Sequence, residues 1–296
     1  MTEPARQVWA VIAGGGTSGH VHPALAIAGE LVQRGRSKDE IHFIGSSRGL
    51  EAELVPEHGY SLTALAGRGI QRSINRENVK SIMALGSAAI QAWHALRLLR
   101  PAVVVSVGGY ASLPALQAAA VLRIPIIVTE QNTVPGAANR FGGRWAKACA
   151  VAFATTDLPK AVHTGNPLLG KILDVDRSDA AAVAQAKEHL GVGPERRLVA
   201  AFGGSLGARR INQAVVDATA VLADRHDLTV RHIIGDRDWE LFGSHSVDGP
   251  LQYQAVRYER AMNDVYAAAD FVICRSGATS VCEIAQTGTP AVFVPL

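Results

Sequence analysis

The stretch V-I-A-G-G-G-T-S-G-H-V-H-P-A-L-A, residues 11–26, decides the fold of this chain. A hydrophobic run over Val8–Ala13 stops at three consecutive glycines, and Pro23 then opens an amphipathic stretch. This order is typical of a strand, a tight loop and a helix. Because glycine allows close backbone approach and the N–H groups at a helix start attract anions, we expect the loop to bind a phosphate or diphosphate.

Length and composition narrow the class of protein. A chain of 296 residues, 48% hydrophobic and 19% charged, predicts an ordinary globular protein of two domains. The net charge of +3 is too small to indicate a nucleic-acid partner. Cys149, Cys274 and Cys282 are scattered, which argues against disulfides and against a structural zinc site. Neither a secretory leader nor an apolar run of roughly 18 residues is present, so we expect a cytoplasmic protein that reaches a membrane only peripherally.

Short apolar runs alternate with longer helical patterns, which predicts an α/β fold with parallel sheets. The predicted strands are Val8–Ala13, Ile41–Ile44, Val103–Val107, Ile126–Thr129, Ala150–Phe153, Leu198–Phe202, Thr229–Ile234, Tyr253–Ala255, Phe271–Ile273 and Ala291–Val294. We predict two doubly wound domains, residues 1–166 and 167–296. The last strand has no crossover helix after it, so the second domain is expected to be incomplete.

Gly14, Gly16 and Gly19 satisfy G-x-G-x-x-G, the fingerprint of dinucleotide binding. That fingerprint also requires an acidic residue about 20 positions further on, to hold the ribose. The corresponding strand ends in Ser46-Ser47-Arg48. A nicotinamide cofactor is therefore disfavoured, although Arg48 leaves NADP open.

Two further glycine loops follow predicted strands. They are Gly108-Gly109-Tyr110 and the loop over Gly203–Ala208. Ligands of open α/β sheets bind outside the carboxyl ends of the strands, where such loops lie. Three loops divided between two domains predict a cleft with phosphate-type sites on both walls, whereas a single loop could be no more than a tight turn.

An ordered set of motifs resembles the MurG family of bacterial N-acetylglucosaminyltransferases, which make lipid II. The set consists of G-G-G-T-S-G-H-V-H-P-A-L-A at Gly14–Ala26, R-G-L-E at Arg48–Glu51, V-G-G-Y at Val107–Tyr110, E-Q-N at Glu130–Asn132, G-N-P at Gly165–Pro167, G-G-S-L-G-A-R-R-I-N at Gly203–Asn212 and C-R-S-G-A-T-S-V-C-E-I at Cys274–Ile284.

The resemblance implies a GT-B fold, with an N-terminal acceptor domain and a C-terminal UDP-sugar domain facing a cleft. It implies inverting transfer from UDP-N-acetylglucosamine to the 4-hydroxyl of lipid I, in peptidoglycan synthesis, without an obligate metal or cofactor. Preorganised N–H groups and helix N-termini would stabilise the leaving diphosphate. The expected location is the cytoplasmic face of the cell membrane, with other cell-wall or division proteins as further partners.

Two residues are candidates for the catalytic base that the resemblance requires. His20 has an ordinary pKa near 6.5, which suits deprotonation of the acceptor hydroxyl at neutral pH. Its alternative role is to brace the glycine loop through hydrogen bonds. Glu130 is the second candidate base or orienting group, and its alternative role is to cap the following helix.

The remaining candidate residues are substrate contacts implied by the resemblance. Thr17, Ser18 and Gly19 would border the donor sugar and the acceptor diphosphate, Asn132 the donor sugar, and Ser205 the donor diphosphate. Tyr110 and Arg275 belong to the substrate-binding set through their motifs. Ala278, Thr279, Ser280, Val281, Cys282 and Glu283 would hold uridine, with Glu283 at the ribose hydroxyls. The alternative for Glu283 is a surface carboxylate.

Four positions depart from the family pattern. Ser18 replaces a glycine, Leu206 a glutamine and Thr129 a histidine. Leu169 stands where the family has an arginine that contacts the donor. Lys171 could substitute only in part, because an ammonium group lacks the fork of a guanidinium.

The segment Lys80–Arg100 is unusually apolar and is flanked by cations, including Arg68, Arg72 and Arg76. Apolar residues beside cations suit docking on an anionic membrane leaflet. The alternative is that the apolar side chains pack on the sheet, which we predict for Ile90 and Leu96. Two other functions also stay open at this point: a UDP-sugar 2-epimerase, and a binding or scaffold protein without transferase activity.

Overall fold

A computed structural model describes residues 8–65, 76–204 and 207–295, with backbone only for 76–85. The chain forms two compact units, one that ends at Leu169 and one that begins at Gly170. Within the described residues, no helix has the length and apolar character needed to span a bilayer.

The first unit is a seven-stranded parallel sheet with helices on both faces. Its strands are β1 (Ala10–Gly14), β2 (Ile41–Ser46), β3 (Ser61–Leu65), β4 (Val103–Gly108), β5 (Ile126–Glu130), β6 (Ala148–Val151) and β7 (Ala161–His163). Its helices are α1 (Ser18–Gln33), α2 (Glu51–Glu57), α3 (Arg76–Leu99), α4 (Ser112–Val121) and α5 (Ala137–Gly143). The strand order β3-β2-β1-β4-β5-β6-β7 reverses direction between β1 and β4, so the switch point lies where these two strands end.

The second unit repeats the arrangement on a smaller scale. Its strands are β8 (Arg197–Phe202), β9 (Leu228–Ile233), β10 (Gln252–Val256), β11 (Phe271–Arg275) and β12 (Ala291–Val294). Its helices are α6 (Gly170–Leu173), α7 (Ala180–His189), α8 (Arg209–Leu222), α9 (Trp239–Phe242), α10 (Met262–Ala268) and α11 (Ala278–Thr287). The order β10-β9-β8-β11-β12 places its switch point between β8 and β11.

Alternate residues of the central strands supply two apolar cores in the first unit. Val11 and Val104 belong to the cluster that includes α3 and α4 residues. Ile12 and Val105, one residue further along the same strands, belong to the cluster that includes α1 and α2 residues. Because neighbouring side chains of a strand point to opposite faces, the sheet is covered on both sides, as a parallel sheet requires.

The start of the first helix differs from the prediction. Helix α1 begins at Ser18, so Pro23 lies inside the helix and does not open it. A proline at this position removes one backbone hydrogen bond, to the carbonyl four residues earlier, and the rest of the helix continues. His20 consequently stands in the first helical turn.

The sequence also failed to reveal the outer strands β3 and β7. Strand β7 is exposed at all three of its residues, so it carries no apolar alternation that a sequence pattern could detect. The strand predicted at Ala150–Phe153 is β6, Ala148–Val151. The other predicted strands coincide with observed ones to within a few residues.

The prediction that Ile90 packs on the sheet is wrong, whereas Leu96 is fully buried as expected. Ala88, Ala92 and Leu96 are spaced by four residues and form the buried stripe of α3. Ile90 lies two residues from Ala88, about 200° around the helix, and is 61% exposed. The side chains of the upstream residues in Lys80–Leu85, and all of Arg68 and Arg72, lie outside the described residues.

Candidate functional site

The loops that follow β1 and β4 meet at the switch point of the first unit. A Cβ atom added to Gly14 would lie 2.3 Å from the carbonyl oxygen of Gly108. One added to Gly109 would lie 2.2 Å from the carbonyl oxygen of Gly15. Both sites also have positive φ angles. Only glycine fits there, because any side chain would force the two loops apart.

His20 extends from the first turn of α1 toward this junction. Its Nδ1 lies 3.1 Å from the hydroxyl of Thr17, and its Cδ2 lies 3.2 Å from the position that a Cβ of Gly108 would occupy. Burial lowers the pKa of His20 below its usual 6.5, and the negative charges of Glu130 and Glu51 partly oppose this shift. The imidazole is therefore neutral at physiological pH.

Glu130 is 2% exposed at the end of β5, and its carboxylate accepts four hydrogen bonds. One oxygen accepts from the backbone and side-chain nitrogens of Asn132, both at 3.0 Å. The other accepts from the backbone N–H of Gly136 and from Nδ2 of Asn139, both at 2.9 Å. Gly136 is the residue that precedes α5. This geometry favours the helix-capping role of Glu130 over that of a base.

The other residues of the candidate site in the first unit are the two asparagines that bind Glu130 and residues of the two glycine loops. Asn139 also accepts from the buried hydroxyl of Ser106, at 3.1 Å. Asn132 is exposed, and its amide oxygen has no donor among the described residues. Tyr110 has a buried hydroxyl without a partner in the described part of the chain, and burial raises the pKa of this phenol. Thr17 immediately precedes α1, whereas Ser18 and Gly19 belong to its first turn.

The sequence analysis included Glu51 in the R-G-L-E motif but did not identify it as a candidate site residue. Its carboxylate is 2% exposed and accepts from the backbone N–H of Gly16, at 2.7 Å. The Gly16 N–H is therefore not available to a phosphate in this structure. The pattern of glycines before the glutamate was the available signal.

The switch point of the second unit carries the third glycine loop. A Cβ at Gly203 would lie 2.3 Å from the backbone nitrogen of Ala208, and one at Gly207 would lie 2.2 Å from the carbonyl oxygen of Ile234. At these two glycines the backbone approach is therefore as close as that between the loops after β1 and β4. Ser205 and Leu206, from the same sequence motif, lie outside the described residues.

Glu283 is 7% exposed, so it is not the surface carboxylate considered as its alternative. It stands on α11, and the hydroxyl of the fully buried Tyr266 donates to its Oε2 at 2.8 Å. Burial raises the pKa of Glu283 to about 7, while the Tyr266 hydrogen bond and the charge of Lys171 oppose the rise. Its charge in turn adds to the raised pKa of Cys274, about 12, which burial mainly causes. Sequence reasoning did not single out Tyr266.

The predicted uridine segment is the first half of α11. Ala278, Thr279, Ser280, Val281 and Cys282 are all partly buried. Arg275 ends β11, and its buried Nε has no partner in the described ranges. The structure therefore brings Arg275, the start of α11 and Glu283 to one end of the second sheet.

Leu169, where the resemblance led us to expect an arginine, makes an apolar contact. It is partly buried against the core cluster of the first unit that contains Ile12 and Val105. The ammonium group of Lys171, the predicted partial substitute for that arginine, donates to the carbonyl oxygen of Arg260 at 3.0 Å.

Comparison with known families agrees with this architecture. The glycosyltransferase family 28 N-terminal domain matches residues 10–151, and the glycosyltransferase family 28 C-terminal domain matches residues 198–296. The two doubly wound units define a glycosyltransferase of the GT-B class, which confirms the predicted fold class. The chain belongs to glycosyltransferase family 28.

Relatives match almost the whole chain. A protein of Nocardioides sp. is 44% identical over 287 residues, which is 97% of this chain and 77% of the relative. One of Frankia casuarinae is 41% identical, covering 97% and 76%. Both are named "UDP-N-acetylglucosamine–N-acetylmuramyl-(pentapeptide) pyrophosphoryl-undecaprenol N-acetylglucosamine transferase". The predicted relationship to the MurG family is confirmed.

Solved structures separate this family from the epimerases. MurG of Acinetobacter baumannii has a TM-score of 0.66 and 28% identity, covering 97% of this chain and 78% of that one. A UDP-GlcNAc 2-epimerase of Neisseria meningitidis, solved with UDP-GlcNAc, has a TM-score of 0.62 but only 12% identity, covering 97% and 82%. The epimerase shares the fold alone.

Proposed function

We propose that this chain transfers N-acetylglucosamine from UDP-N-acetylglucosamine to the 4-hydroxyl of lipid I, forming lipid II for peptidoglycan. The observation that carries the proposal is identity of 38–44% over nearly the whole chain to relatives named for this transfer. The second unit supports it, because the buried carboxylate of Glu283 and the Nε of Arg275, which has no partner among the described residues, are groups that a ribose and a diphosphate can bind.

His20 is the proposed base of this reaction. When the neutral imidazole carries its proton on Nδ1, it donates to the Thr17 hydroxyl, and Nε2 keeps a free lone pair. The acceptor oxygen then attacks the anomeric carbon as its proton moves to Nε2. The bond from that carbon to the diphosphate breaks, UDP leaves, and the configuration inverts. Thr17 orients the ring in this scheme, and Glu130 holds Asn132 beside the sugar.

Donor binding is the proposed task of the second unit. Glu283 accepts hydrogen bonds from the ribose hydroxyls through the oxygen that Tyr266 does not occupy. The neighbouring residues Ala278–Cys282 surround uridine, and Arg275 and Ser205 contact the diphosphate. A charged contact of this kind contributes more to affinity than a neutral hydrogen bond.

The test of the function is a transfer assay on the purified chain. Radiolabelled UDP-N-acetylglucosamine is supplied with lipid I in detergent, and lipid II is measured by chromatography. We expect lipid II only when both substrates are present. Formation of UDP-N-acetylmannosamine would instead indicate an epimerase, and UDP binding without any product would indicate a binding protein.

We also propose that the protein docks peripherally on the cytoplasmic leaflet of the membrane, where its lipid acceptor resides. The docking surface consists of Ile90, Trp93 and Arg97 on α3 and Val121 on α4. Ile90 is 61% and Val121 73% exposed, and the Arg97 guanidinium stacks 5.0 Å from the centre of the Trp93 ring. Apolar side chains beside a cation suit an anionic interface.

Ile90→Asp should weaken binding to vesicles that contain phosphatidylglycerol. The change removes an exposed apolar side chain and adds a negative charge, so we expect a loss of about tenfold, from roughly 1–2 kcal/mol of apolar burial. Vesicle flotation measures it. The matched control is Val221→Asp on α8, which is 86% exposed in the second unit. Equal losses in the two variants would contradict this docking surface.

A further inference from the structure

Glu51 is a buried carboxylate whose hydrogen-bond partners in the structure are backbone N–H groups. It is the first residue of α2 and is 2% exposed. Its Oε2 accepts from the N–H of Gly16, and its Oε1 from the N–H of Ser46, each at 2.7 Å. Among the described residues no lysine or arginine forms an ion pair with it. A carboxylate supplies two oxygen acceptors, one for each of these N–H groups, whereas a neutral amide of the same shape supplies only one.

Three glycines create the space that this carboxylate fills. A Cβ atom at Gly15 would lie 2.3 Å from a Glu51 side-chain atom, one at Gly45 2.5 Å, and one at Gly49 2.1 Å. These glycines come from the loop after β1, from β2 and from the turn before α2. The three segments therefore close around a single side chain.

The carboxylate connects directly to the segment that carries His20. Gly16 precedes Thr17, which leads into α1, and the hydroxyl of Thr17 lies 3.1 Å from Nδ1 of His20. Gly16 has a φ angle of +102°. Because glycine has no side chain, its backbone could adopt many other conformations. The hydrogen bond from its N–H to Glu51 selects one of them.

We propose that Glu51 is a positioning residue of the transfer reaction, acting through the first glycine loop to orient His20 and through its charge on the imidazole. This inference rests on the proposed function. The charged groups that act on His20 from neighbouring elements are Glu130, at the end of β5, and Glu51, on α2. Both carboxylates raise the pKa of His20 against the larger lowering by burial.

Glu51→Gln removes the charge and keeps the shape. The amide offers a single oxygen acceptor, so one of the two backbone N–H groups would face its NH2 group. We expect lipid II formation to fall by roughly tenfold to hundredfold, as displacement of a catalytic group by up to about 1 Å does. The pKa of His20 should also fall, so the acid limb of the rate profile should move to lower pH. UDP affinity, measured by calorimetry, should not change.

NMR titration of the labelled imidazoles measures the pKa of His20 independently of activity. The His20 signal of the parent is identified as the one that is lost in His20→Gln. If the parent makes no lipid II, the proposed function fails, yet the titration still tests the action of Glu51 on His20. The matched control is Glu30→Gln on α1, an exposed carboxylate paired with Arg34, which should leave both rate and titration unchanged.

Glu51→Asp keeps the charge but is too short to reach both N–H groups, and it serves if Glu51→Gln does not fold. We expect a reduced rate with a His20 titration close to that of the parent. A parental rate in Glu51→Asp would overturn the proposal. So would a Glu51→Gln variant whose His20 titration and acid limb match those of the parent, since the loss of rate would then be structural only.

Discussion

His20→Ala should lower the rate of lipid II formation by roughly 10²–10⁴-fold, the usual contribution of a general base. The structure supports this size of effect because the neutral imidazole lies where the loops after β1 and β4 meet. The other candidate base is the carboxylate of Glu130. It already accepts four hydrogen bonds and has little capacity to accept the proton in place of His20. Donor affinity should stay within a few-fold of the parent, because the proposed uridine contacts belong to the second unit.

Steady-state turnover with lipid I and calorimetry with UDP-N-acetylglucosamine separate the two effects. The matched control is His226→Ala, which alters an exposed histidine in the turn before β9 and should leave both quantities unchanged. Turnover of His20→Ala within a few-fold of the parent would mean that His20 only braces the loop.

Glu283→Gln should stabilise the protein at neutral and alkaline pH while weakening donor binding. In the folded chain the pKa of Glu283 is about 7, against 4.5 for the free group. Folding therefore favours the protonated carboxyl. The contribution of this protonated carboxyl to the free energy of unfolding is fully present below pH 4.5 and falls as the pH rises toward 7. Above pH 7 the free energy of unfolding no longer changes through this group. A shift of this size corresponds to up to about 3 kcal/mol, which the glutamine variant recovers.

Thermal melts at pH 5 and pH 8 measure this effect. The gain in melting temperature of Glu283→Gln should be clearly larger at pH 8, where the parent carries the buried charge. UDP affinity should fall by about 1–3 kcal/mol, because an amide is a weaker acceptor for ribose hydroxyls. The control is Glu188→Gln, an exposed position on α7. A gain that does not depend on pH would contradict the raised pKa.

The central strands and glycine loops could be predicted because their signals are local. β1, β4 and β8 are short, largely buried apolar runs that end in or just before glycines, and short length with flanking glycine distinguishes a buried strand from a buried helix. The outer strands β3 and β7 escaped prediction because they are partly or fully exposed and are held mainly by pairing with a neighbour. A pairing partner distant in sequence leaves no local pattern.

The site was predictable in its residue types but not in its connections. His20 and Glu283 were identifiable from motifs, whereas the burial that lowers the pKa of one and raises that of the other depends on the packed structure. Ile90 shows the same limit, because its position on α3 relative to the sheet decides its exposure. Glu51 required knowledge that three glycines surround it.

The close contact between the loops after β1 and β4 has a mechanical consequence. Gly14 and Gly15 touch Gly108 and Gly109 through main-chain atoms, so there is no side chain whose rotation could separate them. Both loops continue from strands in the interior of a seven-stranded sheet, which resists displacement. The loops after β1 and β4 therefore form one rigid surface. A ligand that binds against this surface loses little free energy to ordering the loops.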